Sequence, residues 1–133
     1  MTCITNLTKK RQPFGSSKIP WKKIKEEVLG KKYSLSVVFA PNALMKKLNI
    51  RYRGKAKAAT VLSFPLSNKE ALLRQGYAGQ GEIFLNLHQK EHHPLFLFIH
   101  ALLHLKSFEH GAKMEEQERK LLKKYGSRYC HRN

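Results

Sequence analysis

Residues 94–105, PLFLFIHALLHL, constrain the fold of this 133-residue chain more than any other stretch. Pro94 suits the first turn of a helix, and the apolar side chains that follow fall on almost every side of it. A helix through about Leu105 is therefore stable only when other elements surround it, and the sequence predicts a central, buried helix. Its longest apolar run, LFLFI at 95–99, is too short to span a bilayer.

The remaining segments supply elements to cover such a helix. Trp21, Ile24 and Val28 share one helical face after Pro20, and Gly30 is placed to end that helix. Residues 33–40 (YSLSVVFA) predict a strand stopped by Pro41, and residues 42–50 (NALMKKLNI) a helix with Asn42 as N-cap. A basic loop, RYRGKAKAA, follows around Gly54. Strands are predicted at 60–65 (TVLSFP) and 81–87 (GEIFLNL), with Gly76, Gly79 and Gly81 suggesting a loop or hairpin connection. Residues 113–126, KMEEQERKLLKKYG, form an amphipathic helix with acids toward its start and lysines toward its end, as the helix dipole favours. The residues before Pro20 read as a short opening segment. Without strict strand–helix alternation, the class is α+β: a mixed sheet packed with helices, in one domain over residues 1–133.

Charge narrows the possible partners. The chain carries 26 Lys and Arg against 9 acids, a formal +17, and every acid is Glu. Residues 1–57 alone hold 15 of the cations and only Glu26 and Glu27 against them. A field of this sign attracts polyanions, and RNA or DNA is the commonest such partner inside cells. No basic amphipathic helix suggests a membrane surface. Two cysteines near opposite ends, Cys3 and Cys130, make neither a disulfide framework nor a paired metal motif, and no leader-like apolar stretch opens the sequence. The expectation is a cytoplasmic protein.

His100 and His104 lie one helical turn apart, about 40° around the axis, so both imidazoles leave one face and can reach one ion. His110 can join them only if the chain breaks and turns back after Leu105, around Lys106, Ser107 and Gly111. Three neutral imidazoles with an open fourth position are the ligand set expected of catalytic zinc, one ion per chain, at the end of the buried helix. His88, His92 and His93 form a rival cluster, but Pro94 disfavours a helix through them, and surface positions are expected. The spacing H-x3-H-x5-H also raises a metzincin-type peptidase. Those enzymes need a glutamate directly after the first histidine, where Ala101 stands, and a +17 surface recruits phosphodiesters better than peptides.

Three blocks in order, LNIRYRGKAKAATVLSFP (48–65), GEIFLN (81–86) and HALLHLKSFEHG (100–111), resemble the YbeY endoribonucleases, also called rRNA maturation factors. The resemblance implies a small α+β fold with a histidine-held zinc. It also implies action on single-stranded RNA in 16S rRNA 3′-end maturation and in quality control of the small ribosomal subunit, with no DNA or membrane partner. Carried over by position, His100, His104 and His110 match the metal ligands and Arg53 the arginine needed for activity. A guanidinium there clamps two phosphoryl oxygens as charge builds on them. Arg51, Lys55 and Lys57 are expected along the phosphate path, Phe64 as core or as a base-stacking ring, and Glu82 or Glu109 as a carboxylate behind a ligand histidine. Departures from the family pattern stand at Ala59 and Thr60, Glu82, Ala101, Ser107, Phe108 and Glu109, and the segment 82–100 is short. They keep a second expectation open: a ribosome-associated RNA-binding assembly factor with a structural metal and little or no catalysis.

Overall fold

The computed structural model describes residues 2–8, 19–66, 76, 79–86, 93–106 and 111–129. Within them the chain forms β1 (Thr2–Asn6), α1 (Trp21–Leu29), β2 (Tyr33–Phe39), α2 (Asn42–Arg53), β3 (Val61–Leu66), β4 (Gly79–Leu85), α3 (Pro94–Leu105) and α4 (Ala112–Tyr129). The strands make one mixed sheet in the order β1-β2-β4-β3. β1 and β4 flank β2 in parallel, while β3 runs antiparallel to β4 along one edge. Pro65 sits near the end of that edge strand, where the missing N–H breaks no inner ladder.

Alternation along the strands separates two cores. Leu35, Val37, Phe39, Ile83 and Leu85 point to one face, where α1, α3 and α4 cover them. Val38, Leu62 and Phe84 point to the other, where they meet Met45 of α2 and Ala59. Trp21 joins α1 to the larger core, its ring 5.8 Å from Phe39 and edge-on to Phe98 at 4.7 Å. α3 is central as its composition requires: Leu95, Phe98, Ile99 and Leu102 are wholly buried, and the helix packs on α1, α4, β3 and β4. Each such side chain contributes about 1.5–3 kcal/mol of transfer free energy.

Several local expectations shift. β1, read as an opening segment, is a parallel edge strand. Gly79 and Gly81 lie inside β4 rather than in a connecting loop. A Cβ at Gly81 would come 2.6 Å from the Tyr33 hydroxyl and 3.0 Å from Leu105, so only glycine lets the strand lie this close to both. Asn42 does not cap α2. It occupies the first helical position, and its Oδ1 instead accepts from Asn86 Nδ2 at 2.6 Å. α2 also continues through Arg53, so Arg51 and Arg53 belong to its last turn and the basic loop starts at Gly54. His93, expected on the surface, is half-buried and caps α3, its Nδ1 accepting from the Leu95 N–H at 3.1 Å. His88 and His92 lie outside the described residues. No described helix is long and apolar enough to cross a membrane.

Candidate active-site cleft

The end of α2 is built to present cations. Gly54 adopts a left-handed conformation (φ 68°), its N–H donating to Ile50 O, and the Lys55 N–H donates to Asn49 O. Buried Asn49 then ties the following loop back, its Nδ2 donating to Lys57 O at 2.9 Å. Beyond Lys57, buried Asn86 holds the approach to β3: its N–H donates to Thr60 O and its Nδ2 to Ala59 O. Arg53, Lys55 and Lys57 are exposed on this fixed turn.

Across edge strand β3 stands α3. An open cleft of about 890 Å³ lies between the two, walled by Arg53, Lys55 and Lys57 on one side and by His100, Ala101 and His104 on the other. Its described lining contains no carboxylate. The site thus attracts anions, and the position beside His100 that a peptidase would give to glutamate is filled by buried Ala101. Arg51 does not line the cleft; its guanidinium lies 5.6 Å from the centre of the Tyr52 ring. Phe64 does line it, half-buried, between exposed Tyr52 at 5.0 Å and Phe84 at 5.8 Å.

His100 and His104 converge as their spacing predicts. Their Nε2 atoms are 3.2 Å apart and the rings meet edge-on at 4.7 Å. With metal–nitrogen bonds of about 2.05 Å, two ligands of a tetrahedral ion lie about 3.3 Å apart, so the pair fits one small divalent cation. Among the described residues no third ligand completes a metal-binding group, and His110 lies outside them.

What orients the pair is Glu118 of α4. Its Oε2 lies 2.6 Å from His100 Nδ1, and the residue is only 8% exposed. A carboxylate can only accept, so Nδ1 is the nitrogen that donates to Glu118, and Nε2 is the one turned toward His104. Phe96 stacks on His100 from one turn earlier. Glu82 does not take this role: it alternates with Ile83 and Leu85, on the α2 side of the sheet. Glu109 lies outside the described residues. Glu118 was missed in the sequence, where the one signal it leaves is that it interrupts the apolar stripe Met114, Leu121, Tyr125 of α4. A lone acid in a buried stripe needs a partner.

A family model described as endoribonuclease YbeY matches residues 16–126. Among relatives bearing that name, the protein of Ehrlichia ruminantium (strain Gardel) is 39% identical over 112 residues, covering 71% of this chain and 67% of its own. That of Ehrlichia canis (strain Jake) is 33% identical over 137 residues, covering 91% and 86%. The Clostridium botulinum (strain 657 / Type Ba4) protein is 31% identical over 127 residues, covering 75% of each. A solution structure from Thermotoga maritima shares the fold, with a TM-score of 0.56 at 22% identity over 96% of this chain and 93% of that one.

Proposed function

Because the chain belongs to the YbeY endoribonuclease family, we propose that it is an RNA endonuclease that cuts single-stranded RNA in this cleft with the help of a histidine-held metal. One observation carries the proposal: the converging Nε2 atoms of His100 and His104 and the cationic end of α2 line the same cleft. In this scheme Lys55 and Lys57 hold the backbone phosphates that flank the cut. Arg53 places its two N–H donors on the phosphoryl oxygens, where negative charge increases as the bond breaks. His100, His104 and His110 would hold the ion, and Glu118, by accepting from His100 Nδ1, leaves Nε2 as the nitrogen that would bind it. A zinc ion there supplies Lewis acidity and brings the pKa of a water molecule toward neutrality.

The family resemblance extends the proposal to a cytoplasmic role on 16S rRNA precursors and the small ribosomal subunit. A specific feature supports the alternative of an RNA-binding assembly factor with a structural metal: among the described residues no carboxylate lines the cleft to act as general base. Incubation with single-stranded RNA, with and without chelator, separates the two. Wild-type cleavage that chelator abolishes and His104→Ala lacks supports the nuclease. Tight RNA binding and bound zinc without cleavage support the assembly factor.

A further inference from the structure

Of the described large hydrophobic side chains, Tyr52 is the most exposed, at 57%. It lies at the mouth of the cleft, one residue before Arg53. A tyrosine ring offers a rigid, flat apolar face to a ligand at low conformational cost, and its place on a cationic cleft wall is what makes its exposure informative. Beneath it the ring is well supported. Phe64 packs against it with centroids 5.0 Å apart and planes tilted by 58°. Phe84 backs Phe64 nearly edge-on, and both lie against the core of Leu62 and Met45. The column runs from buried core to solvent, so the outermost ring is held in place without being covered.

The surroundings are cationic. Arg51 rests near the Tyr52 ring, and Arg53, Lys55 and Lys57 continue the charge along the same wall. The sequence RYRGK interleaves an aromatic with cations, the combination that tracks a phosphate backbone while offering a flat surface to a base. A peptide or lipid partner would not need both.

We propose that Tyr52, backed by Phe64, is a nucleobase-stacking subsite that takes one unpaired base of the RNA beside the phosphate held by Arg53. This rests on the nuclease-cleft reading above. An incoming base displaces the loosely held Arg51 guanidinium from the ring, and the freed charge pairs with the neighbouring phosphate. A base inside a duplex cannot present its face in this way, so the subsite favours single strands. It does so without reading sequence, because every base has a π face.

The test compares binding of two probes of equal charge, an oligoadenylate of about ten nucleotides and its abasic ribose-phosphate counterpart, with chelator present to prevent cleavage. Wild type is expected to prefer the base-bearing probe by about tenfold. Tyr52→Leu, which keeps an apolar cover over Phe64, is expected to lose most of that preference while binding the abasic probe as wild type does. Tyr52→Phe should retain it. A Tyr52→Leu protein with an undiminished preference overturns the subsite and leaves the nuclease reading intact. A wild-type protein that binds neither probe overturns both. Thermal melts of each variant confirm that the exposed substitution leaves the fold unchanged.

Discussion

Replacing Glu118 tests the contact that backs His100 from behind the cleft wall. Its carboxylate accepts from His100 Nδ1 at 2.6 Å, and the Glu118 side chain is 11% exposed, so little solvent screens the interaction. Partners of this kind, behind a ligand histidine, set metal affinity by ten- to hundredfold, about 1.4–2.7 kcal/mol. Glu118→Gln keeps an oxygen acceptor but loses the charge, so zinc should bind about tenfold more weakly. Glu118→Leu loses both, frees the His100 ring to change tautomer, and should approach the hundredfold limit. Without metal the same Leu extends the stripe of Met114, Leu121 and Tyr125 but leaves the His100 N–H without its acceptor, so the melting temperature of the zinc-free protein should fall. Competition with a chromogenic chelator measures affinity, and melts with and without zinc measure linkage. At fixed excess zinc, each tenfold loss of affinity removes about 1.4 kcal/mol of metal-derived stability. A Glu118→Leu protein that binds zinc within about twofold of wild type would refute the orienting role.

Arg53→Ala should lower the cleavage rate by roughly a hundredfold or more while RNA affinity falls less than about tenfold; equal losses in both would reduce Arg53 to a simple phosphate contact. Asn86→Ala removes the donor to Asn42 Oδ1 and Ala59 O at a fully buried position, and should cost about 1–3 kcal/mol, read as a lower urea midpoint at unchanged slope. Glu27 accepts from Lys124 at 2.7 Å and from the Tyr125 hydroxyl at 2.5 Å. These bonds hold its pKa below the usual carboxylate value, so its contribution is complete above the unfolded pKa and is lost as pH falls through the folded one. Being over a third exposed, Glu27 should add less than about 1 kcal/mol. Burial, aided by Glu27, pushes Tyr125 up to about 12, so its contribution is complete below pH 10 and should fall between there and pH 12. Glu27→Gln should flatten the acid limb of the stability curve, and Tyr125→Phe the alkaline limb.

Strong periodicity made the main elements legible. The all-round apolar pattern of 94–105 predicted both the existence and the central place of α3, and alternation located β2. β1 was not legible because TCITN buries no side chain fully, and its place comes from pairing with β2 along a parallel ladder. Asn42 looked like a cap from residue type alone, yet a partner 44 positions away claims its side chain. The His100–His104 pair followed from helical geometry, whereas Glu118 and Tyr52 depend on how α4 meets α3 and how α2 meets β3. Arg51 and Arg53 are two residues apart on one helix turn and diverge by about 200°, which is why only one of them lines the cleft.

The cleft is written into the chain in three separated instalments: a cationic turn near Arg53, a histidine face at 100–104, and the carboxylate of Glu118. A chain that stops before α4 lacks both the carboxylate that orients His100 and the Met114, Leu121 and Tyr125 side chains that cover α3. Metal affinity should therefore follow the docking of α4 on α3, so that one packing event both covers the core and orients His100.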